Sequence, residues 1–453
     1  MRQLLILGLL ATAGVCAAQD TPAWLEDHRG DAQRLIEAAL ADESTFERLA
    51  YLTDTFGPRF SGTQALEDAI DWILEEMEAD GLENVRGEPV MVPKWVRGRE
   101  SLTMLEPRRA DLQILGLGGS VGTPPEGVTA EVLVVKSFED LAARGDEAVG
   151  KIVVWNAAFT SYGATVQYRV RGAVEAARAG AVGSLVRSVG PRSMYTPHTG
   201  TSSYEDGVPR IPHAAVTVED AMMMQRMQDR GQPLRLSLYM EARTEPDAMS
   251  RNVVGEIVGS EFPDQVVVLG GHIDSWDVGT GAMDDAGGCV AAWDVLRRLR
   301  ELGIRPRRTI RVVMWTNEEN GLRGGNAYRD AHRSELDDHV AAMESDSGVF
   351  RPQGFGFTGS DRAYEIVRAI GSLLDPIGAG EITRGGGGAD IGPIMAEGVP
   401  GMGLRVDGTE YFWYHHTHAD TMDKLNPADV NRSVATMGVM ALTLANMEER
   451  LPR

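Results

Sequence analysis

The residues best suited to chemistry in this chain are His272, Asp284, Glu318, Glu319, Asp346 and one of the histidines His415, His416 and His418. Imidazoles and carboxylates with no cysteine among them form the donor set of zinc or another borderline divalent cation. A single catalytic zinc takes three protein ligands and keeps one position open. Five candidate ligands stand here beside Glu318, and one bridging carboxylate among them suits two cations about 3.5–4 Å apart. Such a pair lowers the pKa of a shared water from about 15.7 towards ~7 and polarises a peptide carbonyl for attack. Glu318 and Glu319 follow an apolar strand, where neighbouring side chains point in different directions. Glu319 is therefore assigned to a cation and Glu318 to general acid/base work. Asp274, two residues after His272, is expected to orient the imidazole through its carboxylate.

Each assignment has a bland alternative. A histidine after a strand is often structural, Asp-Asp before a helix often caps it, and Glu-Glu is usually a solvated pair. Jointly, at strand ends in one frame, they favour a site. His198 and His213 read as structural or pocket-lining. Asp277, Asp285, Asp390 and Asp420 read as turn, cap or supporting residues. Gly385 to Gly388 reads as a flexible loop, since no phosphate-binding pattern surrounds it.

The elements that position these groups follow from periodicity. Val266 to Leu269 is a β-branched apolar run, and Cys289, Ala292, Trp293, Leu296 and Leu299 recur at helical spacing behind it. His272 and Asp284 thus sit where a strand hands over to a helix, a position that binds ligands in open α/β sheets. Val253 to Val258, Thr309 to Trp315 and Val340 to Met343 read as further strands. Gly325 to His332 reads as a helix, and Asn426-Pro427 opens the last one as N-cap and N1. This alternation predicts an α/β fold, a mainly parallel sheet with helices on both faces. Ahead of it, residues 23 to about 80 read as helices and Val85 to Val92 as a strand. After Pro107 the texture changes. Short strands at Val132 to Val135, Ile152 to Trp155, Val182 to Val186, Ala214 to Val216 and Leu234 to Met240 alternate with helical patterns at Val170 to Ala179 and Glu219 to Met227. They predict an inserted unit of about 130 residues, a usual domain size.

The net charge of −22 over 453 residues repels polyanions and argues against nucleic acid or an anionic membrane as partner. Met1-Arg2, the apolar run Leu4 to Leu10 and the small residues to Ala18 read as a signal peptide over residues 1–18. The expectation is a periplasmic or secreted protein with no membrane anchor. Cleavage there leaves Cys289 as the only cysteine, so no intrachain disulfide forms, and its helical stripe marks it as a buried small hydrophobe.

His272-Ile273-Asp274-Ser275-Trp276-Asp277 through Gly281-Ala282-Met283-Asp284-Asp285 resembles the M28 family of di-zinc peptidases. So do Trp315-Thr316-Asn317-Glu318-Glu319, Met343-Glu344-Ser345-Asp346 and His416-Thr417-His418-Ala419-Asp420-Thr421. The likeness extends to Val166-Gln167-Tyr168-Arg169, Gly172 to Arg178, Pro197-His198-Thr199-Gly200 and Ile211-Pro212. The resemblance implies a phosphorylase/hydrolase-like catalytic domain over 19–109 and 246–453, with a protease-associated insertion at 110–245. It implies two Zn2+, one on His272, Asp284 and Asp346 and the other on Asp284, Glu319 and His416. It also implies Glu318 as general base, a cis peptide after Asp284, a peptide substrate and a homodimer. Some relatives carry a tyrosine oxyanion donor just before the last ligand. Here that position is His415, with Tyr411 and Tyr414 nearby. The function expected is exopeptidase hydrolysis of dipeptides or short peptides through a hydroxide between the zincs. The alternatives are an aminopeptidase on longer peptides, an acyl-transferring cyclase-like relative with one metal, and a binding protein on a dead peptidase fold.

Overall fold

The computed structural model describes residues 22–192 and 194–453. The signal-peptide reading of residues 1–18 lies outside them. Three amphipathic helices come first: α1 (Ala23–Leu40), α2 (Ser44–Phe56) and α3 (Gln64–Ala79). Thr63 caps α3 through its hydroxyl, and Gly81, at φ +75°, turns the chain into β1 (Glu83–Val96).

The chain then leaves the first sheet and builds a second. This one contains β2 (Glu100–Glu106), β3 (Ala110–Leu112), β4 (Ile114–Gly116), β5 (Val128–Val135), β6 (Ile152–Trp155), β7 (Gly183–Arg187), β8 (His213–Val216) and β9 (Arg235–Met240). Their order across the sheet is β3-β2-β9-β5-β6-β7-β8-β4. Helices α4 (Phe138–Ala143), α5 (Tyr162–Arg178) and α6 (Val218–Asp229) cover it. Ala173, Ala176 and Ala177 of α5 pack on one face, Ala221 and Met224 of α6 on the other. Because β2 pairs with β9, the second sheet already starts at Glu100, ahead of the texture change in the sequence.

β10 (Arg243–Ile257) returns to pair antiparallel with β1, from Val96↔Arg243 to Glu83↔Glu256. The remaining elements are β11 (Phe262–His272), α7 (Gly287–Glu301), β12 (Arg308–Trp315), α8 (Arg323–Ala331), β13 (His339–Glu344), β14 (Pro352–Thr358), α9 (Asp361–Gly371), β15 (Glu381–Arg384), α10 (Gly392–Met395), β16 (Gly401–Val406), α11 (Tyr411–Tyr414) and α12 (Pro427–Asn446). The sheet order is β1-β10-β12-β11-β13-β16-β14-β15. The ladders β12–β11, β11–β13, β13–β16 and β14–β15 are parallel. Those of β1–β10, β10–β12 and β14–β16 are antiparallel. The sheet is thus mixed, with a parallel centre, as the alternation predicts, and antiparallel pairs towards both edges. Hydrophobic spacing reports which residues face inward, but carries no information on strand direction.

Both faces of this sheet are covered. Val267, Leu269, Ile310, Val312 and Met314 pack into the core formed with α7 and α12. Val266, Val268, Val313 and Trp315 face Tyr328 of α8 and Ile394 of α10. Alternate residues of one strand thus feed opposite layers, which is why these strands read as continuous apolar runs. The two sheets meet through Phe60, Trp95 and Trp276, with Phe60 and Trp276 stacked at 4.9 Å. Gly118 permits that approach, since a Cβ there would run into the Trp276 ring.

Candidate metal centre

In the parallel ladders His272 pairs with Trp315 and Gly270 with Glu344, so β11, β12 and β13 end at one edge. His272 closes β11, Glu318 and Glu319 follow β12, and Asp346 follows β13. Asp284 enters from the turn Ala282–Ala286 before α7, and His416 from the turn after α11. These groups meet. His272 Nε2 lies 3.2 Å from Asp284 Oδ1 and 3.5 Å from Asp346 Oδ1. His416 Nε2 lies 3.4 Å from Asp284 Oδ2 and 3.0 Å from Glu319 Oε2. Asp284 therefore turns one oxygen to each half.

Supporting contacts hold His272, Asp284 and the Glu318-Glu319 turn. His272 Nδ1 donates to the Asp274 carbonyl at 2.8 Å, while the Asp274 carboxylate lies 3.8 Å away. The expected carboxylate–imidazole bond is thus replaced by a carbonyl one. β11 ends at His272, so the strand alternation that would put both side chains on one face stops there. The Asp274 carboxylate instead accepts from the amides of Glu318 at 3.0 Å and Glu319 at 3.4 Å, and from Ser61 Oγ at 3.2 Å. It positions the Glu-Glu turn. Asp285 Oδ2 accepts the His272 amide at 3.1 Å and Oδ1 the Gly288 amide at 3.2 Å, so it joins β11 to the start of α7. Asp420 accepts the amides of Met283 at 2.7 Å and Asp284 at 3.2 Å. The Asp284–Asp285 peptide is cis.

Several residues of the site were given no role from the sequence. Arg59 is fully buried and donates to the carbonyls of Ile273, Thr280 and Gly281, pinning the loop between His272 and Asp284. Tyr162 and Arg169 come from α5 of the second sheet and line the cavity over the cluster. Arg169 lies on the buried stripe of α5 with Thr165, Gly172, Ala173 and Ala176. A charged residue on an apolar stripe is the signal that marks it.

Among the clustered histidines, His415 stacks on His416 with ring centroids 3.5 Å apart and reaches Asp284 Oδ2 at 3.5 Å. His418 is exposed and lies near Arg97 and Asp277, away from the cluster. Tyr411 lines the cavity together with Asp284, whereas Tyr414 faces Lys424. His213 lies between the carbonyls of Ser184 and Arg169 inside the second sheet. His198 is buried beside His415.

The charge balance calls for a cation. Burial pushes Glu319 well above the usual carboxylate range, with Asp284 adding to the rise. Burial opposes charge on His272, yet Asp284 and Asp346 hold its pKa well above the ordinary value. Asp284 Oδ2 and Glu319 Oε1 are buried without a hydrogen-bond partner among the described residues. Donors about 2.0–2.1 Å from one tetrahedral zinc stand about 3.3 Å from each other, and the four separations above bracket that value. The residues present fit two divalent cations sharing Asp284.

Comparison with known proteins agrees with this geometry. The profile of peptidase family M28 matches residues 252–441. The chain belongs to this family and is a metallopeptidase. It is 50% identical to carboxypeptidase Q of Bos taurus over 430 residues, 94% of this chain and 91% of that protein. Among solved structures, a peptidase M28 precursor from Shewanella amazonensis superposes with a TM-score of 0.90 at 34% identity, covering 94% of this chain and 99% of that one. A zinc aminopeptidase from Bacillus subtilis shares the fold at a TM-score of 0.67 and 20% identity, over 90% of this chain and 96% of that one.

Proposed function

We propose that this protein is an exported, zinc-dependent exopeptidase that hydrolyses dipeptides or short peptides. His272, Asp284 and Asp346 would hold one zinc, and Asp284, Glu319 and His416 the other. When bound, two zinc ions supply Lewis-acid polarisation of the scissile carbonyl and a water that ionises near neutral pH. Glu318 takes the proton from the attacking water and delivers it to the leaving nitrogen as the C–N bond breaks. The main sheet is read as phosphorylase/hydrolase-like and the second sheet as a protease-associated insertion. A homodimer rests on the family resemblance alone.

The observation that carries the short-substrate reading is a cavity of about 540 Å³. It is lined by Asp284, Glu318, Glu319 and Asp346 and by Tyr162 and Arg169 of α5. That volume suits a ligand of a few residues. Arg169 is 6% exposed, donates to the Tyr162 hydroxyl at 2.9 Å, and leaves Nε without a partner among the described residues. A planar cation lining the same cavity as four carboxylates fits the free C-terminal carboxylate of a bound peptide.

The experiment compares peptides of two to six residues, as free acids and as C-terminal amides. The native enzyme should prefer short free acids. Arg169→Met should lower kcat/KM on them by roughly 10–100-fold, the loss of one or two charge-assisted bonds, and leave the amides unchanged. Equal rates on long, short and amidated peptides would favour an aminopeptidase open to longer chains.

A further inference from the structure

The two halves of the metal centre are gripped by different parts of the chain. His272 is fixed from within the main sheet, by the Asp274 carbonyl and the Asp285 carboxylate. The other half is gripped by the segment Thr199–Thr201, in the connection between β7 and β8 of the second sheet. The Thr199 amide donates to the His416 carbonyl at 2.9 Å, and His416 Nδ1 faces the Thr199 carbonyl at 3.3 Å. Thr201 Oγ1 donates to the Glu319 carbonyl at 2.7 Å. His416 has φ +61°, a left-handed conformation that non-glycine residues rarely adopt, so its backbone depends on such outside support.

The gripping segment is itself rigidly seated. The Gly200 carbonyl accepts from the Gly118 amide at 3.0 Å, and Thr199 Oγ1 donates to the Gly116 carbonyl at 2.9 Å. Arg169 donates to the Thr199 carbonyl at 3.3 Å. Gly200 has φ +136°, and a Cβ there would run into the Arg169 guanidinium. Only glycine lets the strap lie this close.

We propose that the Thr199 backbone and the Thr201 hydroxyl are positioning groups for one cation only. Occupancy of the His416–Glu319 half depends on docking of the second sheet, whereas occupancy of the His272–Asp346 half does not. The inference rests on the two-zinc reading above. Linkage makes it reciprocal, so filling that half must also tighten the dock.

The test titrates Zn2+ calorimetrically into metal-free full-length protein and follows amide hydrogen exchange over residues 198–202. The wild type should take two equivalents. Thr201→Val should bind one with unchanged affinity and the other roughly 10–100-fold more weakly, the usual loss when a support behind a ligand is removed. Thr201→Ser should restore it. In a His416→Ala background, Thr201→Val should leave the remaining equivalent unaltered. Exchange over 198–202 should slow with only one of the two equivalents, a readout in the wild type that stands even if a variant fails to fold. Equal weakening of both equivalents, no change in Thr201→Val, or equal protection by each equivalent would overturn the proposal. A wild type that takes fewer than two equivalents would refute the two-zinc reading itself.

Discussion

Glu318 lines the cavity, and its backbone amide is held by the Asp274 carboxylate at 3.0 Å. Burial pushes its pKa up to about 8; His272 pulls it down while Asp346, Asp274 and Asp284 add to the rise. Cations beside it reverse that balance and draw the carboxyl back towards ionisation, the state a base needs. Glu318→Gln should therefore keep both zinc equivalents and the fold while kcat falls by about 10²–10⁴-fold. Steady-state kinetics together with metal analysis would check this, and a variant with native kcat would remove Glu318 from proton transfer. The donor types of this centre were legible from the sequence because a side chain announces its ligand chemistry. The role of Asp274 was not. It hinges on the residue at which β11 stops, and a shift of two positions reassigns the carboxylate from the imidazole to the Glu-Glu turn.

At the level of elements, β12, β13 and α8 are tied by a buried relay. Arg311 Nη1 donates to the Tyr328 hydroxyl at 2.9 Å, and that hydroxyl lies 3.0 Å from His339 Nε2. His339 Nδ1 lies 3.0 Å from the Glu335 carbonyl, so a neutral ring satisfies both contacts. Burial lowers the His339 pKa to about 4, the Glu335 carbonyl opposes this, and Arg311 lowers it further. The unfolded chain takes up a proton near pH 6.5 and the folded one only near 4. Stability is then fully present above about 6.5 and is lost as pH falls towards about 4, by up to ~3 kcal/mol. Urea unfolding at pH 7 and pH 5 should show this loss, and His339→Gln should reduce it. The stripes of α7 and α12 and the apolar runs of β11 and β12 were legible because burial imposes a period. Two features were not. Strand direction leaves no period, and between residues 345 and 426 short strands alternate with glycine-rich turns that break any stripe. The seating of Arg169 and Thr201 against the centre joins residues more than a hundred positions apart, which no local pattern records.

For the molecule as a whole, acidic residues outnumber basic ones, 66 to 44, and a dense knot of them lies buried at the edge of the main sheet. Stripping the cations leaves those carboxylates facing each other without compensation. Chelation should lower the melting temperature by several degrees, and added zinc should restore it. A ligand at a hundred times its Kd contributes about 2.7 kcal/mol. Scanning calorimetry with and without chelator would check this, and a melting point indifferent to chelation would mean the cluster needs no ion.

Val96 and Arg243 face each other across the last rung of the β1–β10 ladder. Everything between them is an excursion whose departure and return points touch. Architecturally it behaves like a side chamber entered and left at one doorway: a short turn in its place would let the main sheet close without rerouting any other strand. Such a trimmed chain would keep the roofless half of the workshop and give up the roof, the anchor at Arg169 and one of the two vices.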